Sequence, residues 1–132
     1  NLCYDIRDDS ADFEIVRKNL KIWREVLVPL FGADYYPLTS ISERNDVWVG
    51  WQYNDEESGT GAVQMFRRED SIYTQGLFKL RGLDLSADYE FKNIDTEATF
   101  RCSGKELSEK GLTLEISEAP QAVIYSYRKV EN

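Results

Sequence analysis

The sequence predicts a mainly β protein, an antiparallel β-sandwich of about eight strands preceded by one N-terminal α-helix. The chain has 132 residues, a length typical of one domain. Apolar residues recur at three- and four-residue spacing near the start, whereas short alternating segments separated by turn residues fill the rest. Hydrophobic residues make up 42% of the chain and aromatic residues 13%, which favours a packed core over disorder.

The periodicity predicts one helix between residues 9 and 32. Asp9 or Ser10 can cap its start, and Pro29 and Gly32 mark its end. Its apolar residues form one face, widened on one flank, and are Phe13, Val16, Leu20, Trp23 and Leu27, with Ile15, Ile22 and Val26 on the flank. An apolar stripe this wide needs a large surface to cover it.

Eight strands are predicted after Gly32. Alternation and turn signals place them at residues 35–41, 46–54, 60–68, 73–81, 88–94, 97–102, 112–117 and 121–129. The last segment is apolar on both faces, which is typical of a central strand. Between the sixth and seventh strands, Ser103 and Gly111 can begin and end one helical turn.

Composition excludes several classes of function. The net charge is −8, so nucleic acid and anionic membranes would repel this surface. The sequence has no histidine, which removes the usual general base and the commonest zinc ligand, and no cofactor or metal site is predicted. The longest apolar run, 26–31, is too short to span a bilayer. Cys3 and Cys102 are far apart, and this pair alone does not establish a disulfide.

No catalytic constellation stands out. Asp84, Asp88 and Asp95 lie beside predicted strand ends, where turns recruit aspartate for backbone hydrogen bonds. Cys102 has no histidine to activate it and is interpreted as a buried structural thiol. Residues 59–61 lack the remaining glycine and the lysine of a phosphate-binding loop, so they are interpreted as part of a hairpin.

The two tryptophans of the second predicted strand fall on opposite faces. Val49, Trp51 and Tyr53 share the face that we interpret as core, whereas Trp48 shares the other face with polar neighbours. Three roles remain open for Trp48. It can contact another domain, pack locally, or stack on a sugar ring.

Four more residues are candidates for contacts outside the core. Tyr35 and Tyr36 are adjacent on a strand, so one of them should face outward. Arg67 and Arg68 precede two acidic residues, and they form either a salt-bridged turn or an anchor to another domain through bidentate hydrogen bonds.

An ordered set of residues resembles the C-terminal domain of glycoside hydrolase family 36, whose members are mainly α-galactosidases. The resemblance covers residues 33–130. Its members are residues 34–39, Trp48, Trp51, Gln52, Gly59, residues 61–63, residues 66–68, Ser71, residues 80–84, Tyr89, Asp95, Thr96, Gly104, Leu107, Gly111 and Leu112. Glu97 departs from the family, which often has glycine there.

The resemblance implies a β-sandwich over residues 33–132 that follows a (β/α)8 catalytic barrel. Residues 1–32 then resemble the end of that barrel, with a last strand near 2–6 and a last helix near 12–30. Much of the wide stripe would pack on the barrel. The family uses two barrel aspartates in a retaining double displacement, and those motifs have no match here, so no catalytic residue is assigned.

The expected function is therefore that of an accessory β-sandwich domain with no catalysis of its own. The resemblance implies that the parent polypeptide hydrolyses α-galactosides without a cofactor, with the upstream barrel as the main partner. It favours a cytoplasmic location and leaves homo-oligomerisation open. The alternative hypothesis is a carbohydrate-binding module that uses exposed aromatic residues.

Overall fold

A computed structural model describes residues 12–130 and contains the expected elements. The helix α1 (Phe13–Ile22) continues through a π-helical turn (Trp23–Leu27) and a 3-10 turn (Val28–Leu30). The strands are β1 (Asp34–Pro37), β2 (Trp48–Asp55), β3 (Thr60–Arg67), β4 (Gln75–Phe78), β5 (Asp88–Asn93), β6 (Thr99–Ser103), β7 (Leu112–Glu115) and β8 (Gln121–Val130). A short helix α2 (Gly104–Glu109) precedes β7.

The described strands form two antiparallel sheets. Six of them pair in the order β1-β2-β3-β8-β5-β6, and β4 pairs with β7 in a smaller sheet. The predicted fold class, a mainly β sandwich after an N-terminal helix, is confirmed. The central position of β8, between β3 and β5, also agrees with its apolar sequence on both faces.

The helix caps follow ordinary local chemistry. The α1 helix begins at Asp12, whose carboxylate accepts hydrogen bonds from the backbone N–H groups of Glu14 and Ile15 at 3.0 and 3.2 Å. We expected Asp9 or Ser10 in this role, and both lie outside the described residues, so the observed cap corrects that expectation. Ser103 caps α2 as predicted, and Gly111 ends the turn with φ +113°.

The core lies on one face of the large sheet, which we call the inner face. Val63, Met65 and Phe91 are fully buried there, because the smaller sheet, α2 and the connecting loops cover them. These covering elements contribute five apolar side chains that are at most 4% exposed, namely Leu80, Leu107, Leu112, Leu114 and Ile116. The predicted alternation of β7 is confirmed, since its leucines are buried and Thr113 and Glu115 are exposed.

The opposite face of the large sheet, the outer face, is partly covered by α1 and its continuation. Leu30 is buried, and Ala62 is fully buried on this face. Glu25, Val26 and Pro29 line one small cleft together with sheet residues such as Ser126. An ion pair of 2.6 Å between Lys18, in the middle of α1, and Asp95 connects the helix to the β5–β6 turn. No helix in the described part of the chain is long and apolar enough to cross a membrane.

A buried polar network joins β2 to β8. The Tyr127 hydroxyl accepts from Gln52 Nε2 at 2.8 Å and lies within donor distance of Asn54 Oδ1 (2.8 Å) and the Tyr53 carbonyl (3.0 Å). A Cβ atom at Gly61 would lie 2.1 Å from Tyr127 Cζ. The observed position of the Tyr127 ring therefore requires glycine at residue 61. Burial raises the pKa of Tyr127 well above its usual value.

Arg67 links the two sheets from the end of β3. Its guanidinium donates from Nη1 to the carbonyls of Ile116 and Ser117, at 3.0 and 2.6 Å, and from Nη2 to the carbonyl of Ser71 at 2.8 Å. The residue is 8% exposed. Because Ile116 and Ser117 follow β7, these bonds connect the large sheet to the small one.

Arg67→Lys should lower the free energy of unfolding by about 2–4 kcal/mol, because an ammonium group cannot satisfy three carbonyls in the planar geometry of a guanidinium. Urea unfolding monitored by far-UV circular dichroism measures the change. Arg68→Lys is the matched control and should cost less than about 1 kcal/mol, since Arg68 is half-exposed. Equal effects of the two substitutions would contradict a structural role specific to Arg67.

Tyr127→Phe should destabilise the fold by about 1–3 kcal/mol at pH 7, because Gln52 and Asn54 lose their shared buried partner. It should also change the pH dependence. The folded protein keeps the phenol neutral, whereas the unfolded chain ionises it from about pH 10, so this part of the stability is full below that pH and declines above it. Urea midpoints at pH 8–11.5 should therefore fall less steeply in the variant, and parallel curves would count against the prediction.

Candidate functional site

The structure reverses the roles that we predicted for the two tryptophans of β2. Trp48 is 8% exposed and lies in the core, where its Nε1 donates to the Tyr73 carbonyl at 3.0 Å and its ring stacks on Phe78 with centroids 5.8 Å apart. Trp51 lies on the outer face instead. The expectation that Trp48 faces outward is wrong.

The physical reason is that the inner face of β2 carries buried amides. Gln52 accepts from the Arg81 backbone N–H and donates to the Arg81 carbonyl, both at 2.9 Å. Asn54 donates to the Gly82 carbonyl at 2.8 Å. These side chains satisfy loop backbone groups that would otherwise be buried without partners, so polar residues here mark the core.

The two adjacent tyrosines point to opposite sides of β1. Tyr35 is 55% exposed on the outer face, and its ring packs on Tyr53 with centroids 5.7 Å apart. Tyr36 lies on the inner side at the sheet edge, where its hydroxyl donates to Asp34 Oδ2 at 3.3 Å. Desolvation and the Asp34 carboxylate raise its pKa. Tyr35 is therefore the outward residue of the pair.

The described residues do not form the salt-bridged turn predicted for the arginine pair, and an interdomain contact through Arg68 stays a prediction. Among the described residues, neither Arg67 nor Arg68 forms an ion pair with Glu69 or Asp70. Arg67 is buried between the sheets, so it has no surface for an interdomain contact, which corrects that expectation. Arg68 donates to the carbonyl of Arg44 and remains half-exposed.

The helix leaves part of its wide apolar stripe uncovered. Ile22, Val26 and Leu30 face the sheet, whereas Phe13 and Leu20 are more exposed and Trp23 borders a cleft together with Trp51 and Tyr53. We call this uncovered part the outer stripe, and its members are Phe13 at 46%, Leu20 at 40%, Trp23 at 43% and Phe31 at 95% exposure. Large apolar side chains on successive turns of one helix face are typical of a contact surface.

Beside the helix, the outer face of the sheet carries a shallow aromatic groove of about 490 Å³. The Trp51 and Phe66 rings form its platform, with centroids 5.4 Å apart and planes tilted by 35°. Trp51 Nε1 donates to Gln64 Oε1 at 2.7 Å, which fixes the indole. The groove is lined by Val49, Trp51, Phe66, Arg67, Arg68, Pro120, Gln121 and Ala122.

The acidic residues and the described cysteine make structural contacts. Asp84 accepts from the Ser86 backbone and hydroxyl and from Lys129 at 2.6 Å, contacts that hold its pKa well below the usual range. Burial and Glu106 raise the pKa of Cys102, so the thiol stays protonated near neutral pH. Cys3 lies outside the described residues. Within residues 12–130, no group of three or more Cys, Asp or Glu side chains could hold a metal ion.

Known proteins that are similar to this chain are found by comparison of structures and not by comparison of sequences. No protein-family model matches the sequence, and no curated protein is significantly similar to it. The fold is similar to part of the family 36 α-galactosidase AgaB from Geobacillus stearothermophilus, with a TM-score of 0.73, 19% identity, and coverage of 96% of this chain and 17% of that one.

Two further α-galactosidases show the same relation. AgaA from the same organism, also of family 36, aligns with a TM-score of 0.71 and 19% identity over 92% of this chain and 17% of its own. The Lactobacillus brevis enzyme aligns with a TM-score of 0.65 and 16% identity over 97% of this chain and 18% of its own. The resemblance indicated by the sequence is thus confirmed in the fold, and the chain has the fold of a segment that makes up 17–18% of these α-galactosidases.

Proposed function

We propose that this chain is an accessory β-sandwich domain of a larger family 36-like α-galactosidase and has no catalytic activity alone. The observation that carries the proposal is the fold match over more than nine-tenths of the chain to segments of known α-galactosidases. The structural contacts of Asp84 and Cys102 support a non-catalytic role. The enzyme as a whole would hydrolyse terminal α-galactosides through residues outside this chain.

The outer stripe is the surface through which the domain attaches to the rest of that enzyme. Phe13, Leu20, Trp23 and Phe31 lie within residues 13–31, the helical segment and its end, and burying one such side chain contributes about 1.5–3 kcal/mol. In this proposal residues 1–32 belong to the end of the catalytic barrel and residues 33–132 form the accessory domain. The helix would then be shared, with one face on the sandwich and the other on the barrel.

Paired substitutions in the stripe test this arrangement. Leu20→Gln with Trp23→Gln should lower the free energy of unfolding of the longer polypeptide by about 3–5 kcal/mol, because both side chains are buried against the barrel there. In the isolated 132-residue chain the same pair should cost less, about 1–2 kcal/mol, since Leu20 and Trp23 are already 40% and 43% exposed. Urea unfolding of both polypeptides gives the comparison.

The matched control is Ile72→Gln with Tyr73→Gln, which changes two residues of 81% and 67% exposure away from the helix. This pair should have little effect in either polypeptide. A stripe variant that is equally mild in both would refute attachment through the stripe. Turnover of a chromogenic α-galactoside by the isolated chain, if lost on substitution of an acidic residue of this chain, would refute the non-catalytic role.

A further inference from the structure

We propose that the aromatic groove beside β2 and β3 is a subsite for a neutral pyranose ring of an α-galactoside. The choice of an α-galactoside rests on the proposed function, whereas the choice of a neutral sugar rests on the groove itself. The proposal replaces Trp48, which is buried, with Trp51 as the stacking residue.

The platform of the groove is built before any ligand arrives. The indole of Trp51 is fixed by its hydrogen bond to Gln64 at 2.7 Å, and Phe66 packs against it with a tilt of 35°. Phe66 is 38% exposed, so part of the platform is open to solvent. A rigid aromatic surface binds the C–H face of a pyranose while losing little conformational entropy.

Polar groups line the same groove and supply hydrogen bonds for the hydroxyl groups of a sugar. Arg68 donates one hydrogen bond to the Arg44 carbonyl and has further N–H groups for ligand hydroxyls, and Gln121 is exposed at the start of β8. Apolar walls with a few polar side chains are the usual composition of small-ligand sites. The groove volume of about 490 Å³ suits one or two sugar rings.

The groove adjoins the outer stripe at Trp51, which also lines a second cleft together with Trp23 and Phe31. None of the residues that line the groove itself belongs to the helix, so a partner on the stripe need not cover Phe66 or Arg68. Within the described part of the chain, the lining combines an aromatic platform with arginine and glutamine N–H donors and contains no carboxylate, a combination that suits the C–H face and the hydroxyl groups of a neutral sugar.

The test is a ¹H–¹⁵N NMR titration of the 132-residue chain with raffinose, with sucrose as the control ligand that lacks the galactosyl unit. Raffinose should shift the Trp51 indole N–H resonance saturably, and sucrose should not. Trp51→Ala should weaken binding about tenfold or more through loss of ring stacking. Trp51→Phe keeps a ring in place and should bind more tightly than the alanine variant.

Tyr73→Ala is the matched control, because it removes an exposed aromatic ring that lines neither the groove nor the cleft beside Trp51, and it should leave raffinose binding unchanged. No saturable shift up to about 100 mM raffinose, an equal response to sucrose, or binding unaffected by Trp51→Ala would each overturn the proposal. Loss of binding in the longer polypeptide would also overturn it, because the groove would then be covered by the rest of the enzyme. The stripe experiment does not depend on any of these results.

Discussion

The Tyr127 hydroxyl and the two amides of β2 that surround it determine which side of the large sheet becomes the core. Gln52 and Asn54 reach from the inner face to the backbone of Arg81 and Gly82 and to Tyr127. Because side chains alternate along a strand, placing these amides inside also places Trp48 inside and Trp51 outside. A one-residue slip would leave buried backbone groups unsatisfied and exchange the two tryptophans.

This constraint explains why the outer face is apolar even though the core lies on the other side. With Gln52 and Asn54 inside, Trp51 and Tyr53 project outward, next to Tyr35 and Phe66. The helix covers the middle of this face and leaves the aromatic residues near β1 and β2 beside it. The same helix carries the outer stripe, so the stripe and the aromatic residues of the outer face lie on the same side of the large sheet.

Much of the fold follows from local patterns in the sequence, and the exceptions have one cause. The predicted strands overlap all eight observed ones, and Ser103 and Gly111 bound α2 as expected. Face assignment failed for β2 because hydropathy treats glutamine and asparagine as surface residues, whereas here they satisfy buried loop backbone. The sequence did not decide which part of the helix contacts the sheet, because the apolar stripe is wide and only the position of the sheet determines the contact.

The candidate sites were harder to predict than the fold because they depend on those face assignments. The sequence pattern indicated Trp48 as the outward aromatic residue of β2, whereas the structure places Trp51 on the outer face. Gln52 and Asn54 led to the wrong assignment of the faces of β2. The same two amides identify the inner face once the hydrogen-bonding needs of the neighbouring loop backbone are considered. Gln52 stands opposite Val63, which is fully buried, and an amide beside an apolar core residue is stable only with buried partners. In a strand with polar residues on one face and aromatic residues on the other, either face could therefore be the buried one. The hydrogen-bonding needs of a neighbouring loop decide which face is buried.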